Sequence, residues 1–175
     1  MSFYSDVNTE PKRPNRFLLY LNGIDTYNIK SVDKPSQATS VVEHKFGQHT
    51  FKWPGSVKWN DIKVSLVDAV NPSSTVRLVN ALIQAGYKPP TSYENSLSFL
   101  SKAKTVIAIG TPKIVQLDAD ANQLEEWTLK NAFIIDSNYG SLSYDDDNKL
   151  LDLSITIAYD YPIMVALDNP SSLLK

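Results

Sequence analysis

The chain has 175 residues, 42% hydrophobic and 21% charged, with a formal net charge of -2, the profile of one soluble domain large enough to bury a core without metal or disulfide support. Its lack of cysteine excludes disulfide frameworks, thiolate metal sites and cysteine nucleophiles. An isoelectric point near 5.6 leaves no basic excess for tight duplex binding, so any nucleic acid must be held loosely. The N-terminus shows no basic stretch leading into an apolar one, and no segment approaches the ~20 apolar residues that cross a bilayer, so neither a signal peptide nor membrane insertion by the chain is expected.

Residues 1 to 15 are polar and carry Pro11 and Pro14. They read as an extended arm with too few apolar groups to fold alone, of the kind that orders on a neighbour. Phe17-Leu18-Leu19-Tyr20-Leu21 is strand-like and meets Asn22-Gly23, predicting a hairpin with a return strand near Tyr27 to Val32. A second hairpin pairs Val41 to Phe46 with His49 to Trp53 across Gly47-Gln48, and Pro54-Gly55 stops it. Its two-residue loop sets Phe46 opposite His49 and His44 opposite Phe51, pairs worth roughly 0.2–1 kcal/mol each.

Asp61 to Val67 alternates, with Ile62, Val64 and Leu66 toward a core and Lys63 and Ser65 toward water. The main helix is expected over Ser73 to Ala85, with Val76, Val79, Leu82 and Ile83 as its apolar face and Gly86 at the C-terminal left-handed position. Ser92 to Lys104 leaves a short helix and a loop both open. Strands are expected at Thr105 to Ile109, Lys113 to Leu117, Gln123 to Asn131, Ala132 to Ser137 and Lys149 to Tyr159. Turns fall at Asp118-Ala119-Asp120 and Asp145-Asp146-Asp147-Asn148. The expected class is mainly β with one helix.

Chemistry finds little support. The two histidines, His44 and His49, fall on one hairpin as diagonal neighbours, but Glu43 points to the opposite face, so polar ribbon residues are favoured over a metal site. Three adjacent acids at Asp145 do not have the alternate spacing of a calcium loop, and Asp118 and Asp120 read likewise as turn residues. No serine elbow lies near a histidine, and Gly110-Thr111-Pro112 is too short for a phosphate loop. Neither catalysis nor a cofactor is expected. Trp53, Trp59 and Trp127 read as core or interface anchors rather than a ligand platform.

Three stretches of the sequence resemble the tail tube proteins of T-even-type contractile phages. They are Arg13-Pro14-Asn15-Arg16-Phe17; Pro54 to Val67, with its aromatic, its Asp and its alternating strand; and Trp127-Thr128-Leu129-Lys130-Asn131-Ala132-Phe133 through Asp136 to Leu153-Ser154-Ile155-Thr156-Ile157-Ala158-Tyr159-Asp160-Tyr161. The closing Tyr-Asp-Tyr is the strongest match. Two departures, Asn131 where the family usually has glycine and Ile134 where it has proline, bear on the crossing between the strands they join.

The resemblance implies an antiparallel β-sandwich or barrel over residues 16–161, an extended arm over 1–15, a flanking helix, a long hairpin, and an extension over 162–175. Six copies would close a ring whose sheets join into a central barrel, and rings would stack into the tube of a virion tail made in the host bacterial cytoplasm. The tail sheath protein would lie outside, with baseplate and terminator proteins at the ends, and DNA would pass through without specific binding. Contacts between copies are then expected at Phe3, Tyr4, Arg16, Glu43, His44, Lys45, Phe46, Gln48, His49, Phe51 and Trp53. Lys63, Ser65, Ser154 and Thr156 are candidates for the lumen. A tube initiator or terminator, the tube of a bacterial injection or type VI system, and a monomeric binding module remain alternatives.

Overall fold

The computed structural model describes residues 11–24, 26–92, 99–145 and 149–166. In chain order its elements are β1 (Phe17–Tyr20), a 3-10 turn (Thr26–Asn28), β2 (Ile29–Val32), β3 (Gln37–Phe46), β4 (His49–Trp59), β5 (Ile62–Val67), α1 (Ser74–Gln84), α2 (Lys102–Ile109), β6 (Lys113–Leu117), β7 (Gln123–Lys130), β8 (Phe133–Asn138), β9 (Asp152–Ala158) and β10 (Tyr161–Ala166). They form two four-stranded sheets, β1-β6-β7-β10 and β2-β5-β9-β8, and a separate two-stranded ribbon, β3-β4. Every described strand pair is antiparallel.

The two sheets share one core. From the second sheet come Ile62, Val64 and Leu66 of β5 and Leu153, Ile155 and Ile157 of β9; the first sheet contributes Leu19, Ile114 and Leu129, and the helices Leu78 and Ile109. The β5 alternation is observed as expected, buried at every second residue. Helix α1 also lies where expected. Ser73 caps it by accepting from the Val76 backbone N–H. The Asp68 carboxylate accepts from the Ser74 and Thr75 backbone N–H groups and from both Ser73 and Thr75 hydroxyls. Burial opposes its ionisation, but the Thr75 hydroxyl and these N–H groups outweigh that and hold its carboxyl below the usual range.

The structure corrects several sequence expectations. Asn22-Gly23 does make a tight turn, closed by a bridge between Leu21 and Ile24, but β2 then leaves β1 and pairs with β5 in the other sheet. The diversion is the 3-10 turn, whose Asn28 is buried and donates to the Ser74 hydroxyl. Residues 105–109 are helical rather than extended. Thr105, Val106, Ile107 and Ile109 favour a strand individually, but Ser101 caps the segment and Gly110, with φ of 69°, ends it. The Thr105 hydroxyl donates back to the Ser101 and Lys102 carbonyls. Among the described residues two helices therefore stand where one was expected.

On α1 the buried stripe is Ser74, Leu78 and Ala85, while Val76, Val79 and Ile83 face outward and Leu82, expected on the same face, borders the groove toward α2; both stripes satisfy the helical period. Strand β9 begins at Asp152, leaving Lys149 and Leu150 exposed outside it. Residues 162–166, set apart above as the start of an extension, form most of β10 and pair with β7. Asn131 takes a positive φ of 53° at the crossing from β7 to β8, a left-handed conformation that asparagine tolerates.

Replacing Asp68 by alanine removes the cap partner of four donors. The expected cost is about 1–2 kcal/mol, measured as a lower urea midpoint with an unchanged slope.

Candidate assembly surfaces

The ribbon is the most exposed element. Pairing follows the expected register, Phe46 opposite His49, His44 opposite Phe51 and Val42 opposite Trp53, with Gly47 at positive φ in the turn. It is longer than expected, because β4 continues through Pro54 and Gly55 to Trp59. A bulge makes this possible. The register shifts between Thr39 and Val41, the Ser40 hydroxyl donates to the Ser56 carbonyl, and a Cβ at Gly55 would come within 2.3 Å of the Ser40 hydroxyl oxygen. Proline is tolerated because each strand of a two-stranded ribbon has one unpaired edge.

Alternation gives the ribbon two different faces. One carries Val42, His44, Phe46, His49, Phe51 and Trp53; the other carries Glu43, Lys45, Thr50 and Lys52, with Lys52 and Glu43 paired at 3.6 Å. All of β3 is exposed, as is β4 apart from half-buried Gly55 and Trp59. Phe46, Phe51 and Trp53 are 74%, 51% and 61% exposed. At ~3.3 Å per residue the ribbon extends roughly 35 Å. Its apolar and aromatic side chains, Val42 to Phe46 and His49 to Trp53, occupy the outer half of that length, an exposed patch that makes it a candidate contact surface.

The second surface is the outward face of sheet β2-β5-β9-β8. Lys63 pairs with Thr156 and Thr156 with Asp136; Ser65 pairs with Ser154 and Ser154 with Asn138; Ser31 lies beside Ser65. The four candidate lumen residues are thus two adjacent cross-strand pairs on one face. The charged residues of these four strands are Lys30, Lys63, Asp136 and Asp152, two of each sign. Lys30 reaches across β5 to Asp152 at 2.5 Å. The face is polar, rich in hydroxyls and neutral.

Two carboxylates organise the margins of these surfaces. Glu125 of β7, 12% exposed, receives Lys12 at 2.6 Å on one oxygen and Lys34 on the other. The Trp127 indole N–H donates to it at 3.4 Å. Burial works against its charge, but the two lysines outweigh it and lower the carboxyl from 4.5 to about 2. Asp160, the centre of the Tyr-Asp-Tyr motif, accepts from the Lys102 ammonium on both carboxylate oxygens, at 2.7 and 2.8 Å, and from the Asn131 amide at 2.7 Å, joining α2 to the β7–β8 crossing. Tyr159 beside it packs on the core, and Tyr161 begins β10.

The remaining candidates are placed as follows. Phe3 and Tyr4, with residues 146–148 of the acidic turn, lie outside the described residues. Arg16 is held within its own subunit, where its carbonyl accepts from the Leu117 N–H and the Gln116 amide. Gln48 sits in the ribbon turn. Trp127 packs against the core, whereas Trp53 is exposed. Asp118 accepts from the Asn122 side chain and from the Asp120 and Asn122 N–H groups, a turn-making role. Among the described residues no three His, Cys, Asp or Glu side chains gather as a metal-binding group. A cavity of about 270 Å³ between α1, α2 and β8 is lined mainly by Leu78, Leu82, Ala108, Ile109, Ile134 and Ile135. Sequence reasoning missed Glu125, because Lys12 and Lys34 stand 113 and 91 residues away and leave no local signal.

No family model and no curated relative matches the sequence itself. Solved structures do match the fold. A chain of the anti-feeding prophage baseplate has a TM-score of 0.64 at 15% identity, covering 92% of this chain and 99% of its own. A chain of the sheath-tube complex of PVC, an extracellular contractile injection system, has 0.64 at 18% identity, covering 91% and 94%. The tube-terminating cap of the anti-feeding prophage has 0.65 at 18%, covering 95% and 99%. The chain shares the fold of these components of contractile injection particles.

The Glu125 carboxyl is lowered on folding, so its contribution to stability is complete above the ordinary value of 4.5 and is lost as pH falls through about 2. Urea denaturation from pH 5 to about 2 is expected to show a decline that is shallower in Glu125→Gln by that component.

Proposed function

We propose that the chain is a tube subunit of a contractile machine, the tail tube protein of a T-even-type phage tail. What carries the reading is a fold shared with injection-particle components, in a chain whose second sheet turns a neutral, hydroxyl-rich face outward and whose aromatic ribbon is exposed among the described residues. In this reading six copies close a ring with the second sheets as the inner wall, and ring closure removes the free edges at β2 and β8. The ribbon and the N-terminal arm join neighbouring copies, the sheath protein lies outside, and baseplate and terminator proteins meet the tube ends.

The function is passive conduction. DNA is held by the phosphate charges a surface can neutralise, and a wall with Lys30 and Lys63 offset by Asp136 and Asp152 offers no net attraction. The fold matches favour a second reading in the same class, the tube or tube terminator of a bacterial injection system. The genes flanking this one separate the two readings.

Negative-stain electron microscopy of the purified protein over a range of concentrations, with its mass in solution, is expected to show six-fold rings or hollow tubes. A strict monomer at every concentration points instead to a binding module. The Phe51→Ser/Trp53→Ser double variant is expected to lose assembly while melting within a few degrees of the parent, since neither side chain is in the core. For the inner wall, single cysteines at Ser154 or Thr156 in this cysteine-free chain are expected to react in assembled tubes with a small maleimide and not with one carrying a polymer wider than the lumen. Equal reaction with both removes these residues from the wall.

A further inference from the structure

Among the described residues, the hydrogen bonds that join the ribbon to the rest of the fold lie at its stem. Residues 33–36 lead from β2 into β3, and Asn60 leads from β4 into β5. On one side the Asn60 backbone N–H donates to the Ser36 carbonyl at 2.9 Å, and its amide donates to the Ser36 hydroxyl at 3.0 Å. Earlier in the stem, the Asp33 N–H donates to the Lys63 carbonyl at 3.0 Å, continuing the ladder of the second sheet. Lys34, between these two attachments, extends in the other direction and ends on Glu125 of the first sheet. The stem is therefore tied to both sheets, and Glu125 is its tie to the first.

The other oxygen of the same carboxylate holds Lys12 at 2.6 Å. Residues 13–16 downstream are fixed by the Gln116 amide, which donates to the Arg13 and Arg16 carbonyls at 2.9 and 2.6 Å. One side chain thus sits where both the N-terminal segment and the ribbon leave the body of the subunit. Its surroundings suit that task, because it is 12% exposed against about half for each lysine, so water competes less for its charge than for theirs.

We propose that Glu125 is the positioning residue that aims the ribbon, and with it the N-terminal segment, for docking on a neighbouring copy, by holding Lys34 and Lys12 on its two carboxylate oxygens. This rests on the reading of the ribbon and arm as contacts between copies. The leverage is geometric: on a ribbon roughly 35 Å long, each 10° of rotation at the stem moves the tip by about 6 Å, more than the width of a strand pair. The shared carboxylate also couples the two elements. Releasing Lys12 leaves Glu125 to Lys34 and the Trp127 indole alone, so displacement of the N-terminal segment is felt at the ribbon.

The test uses the absence of native cysteine. Spin labels at Gln48→Cys in the ribbon turn and Asp120→Cys in the β6–β7 turn report the tip position relative to the body, with labelled chain diluted into unlabelled chain. The expected result is a distance distribution at least about twofold wider in Glu125→Gln than in the parent. Alongside it, the concentration needed for assembly of the unlabelled variant is expected to rise about tenfold, the equivalent of ~1.4 kcal/mol. Lys34→Met, which leaves the Lys12 pair in place, is expected to reproduce both effects if Glu125→Gln fails to fold. An unchanged distribution overturns the positioning role, and a wider distribution with unchanged assembly overturns its link to docking. If the parent itself does not assemble while the distribution still widens, the assembly reading falls and Glu125 remains only a stem anchor.

Discussion

The structure depends on the pairing of β5 with β9. Ile62, Val64 and Leu66 lie opposite Ile157, Ile155 and Leu153, all six are buried, and together they form the floor of the core. Because side chains alternate, this one register also decides what the other face carries. Lys63, Ser65, Ser154 and Thr156 are driven outward as a block, and a slip of one residue would exchange the two sets. The apolar core and the polar outer face are thus two consequences of a single constraint. A mutation that disturbs the first disturbs the second.

Legibility in the sequence follows the range of the forces involved. The alternating strand at 62–67, the capped helix at 74–84, the Gly47-Gln48 turn and the aromatic pairing of the ribbon were readable because each is set by neighbours within a few residues. The helix at 102–109 was not, since its run of β-branched residues favours a strand, against the alanines, lysines, serine cap and closing glycine that favour a helix. The outward stripe of α1 was misassigned for a related reason: Val76, Val79 and Ile83 keep the same period as Ser74, Leu78 and Ala85, and only tertiary packing selects between them. Glu125 was invisible, because the two lysines that define it are brought in by the chain's return from distant segments. Of the surfaces, the ribbon and the polar strand faces could be named from sequence, but their confinement to separate margins of the fold could not.

The subunit exposes apolar surface that a free monomer would be expected to hide. Phe46, Phe51 and Trp53 lie on one face of the ribbon, and Val76, Val79 and Ile83 lie along α1. Burying one large apolar side chain contributes about 1.5–3 kcal/mol, and in the proposed assembly of stacked rings such contacts would recur at every copy. Association nevertheless opposes this with the cost of ordering a long ribbon. A ribbon that swung freely would meet most of that cost at docking. One tied at its stem to both sheets meets part of it during folding of the subunit.

This division of labour explains why polar chemistry is concentrated at the margins. Within the two sheets, branched apolar residues supply rigidity and need no partners beyond each other. At the ribbon stem the chain leaves the sheets, and hydrogen bonds and ion pairs help set its direction: Asn60 with Ser36, Lys34 and Lys12 with Glu125. Directional bonds suit that place, since apolar contact is nearly indifferent to angle whereas a carboxylate gripping two ammonium groups is not. The same logic holds at Asp160, where Lys102 and Asn131 fix the helix and the strand crossing at the opposite end of β7. Strand β7 carries one such anchor within it and abuts the other, so the stiffness of its ladder with β6 and β10 links the ribbon stem to the α2 side of the subunit.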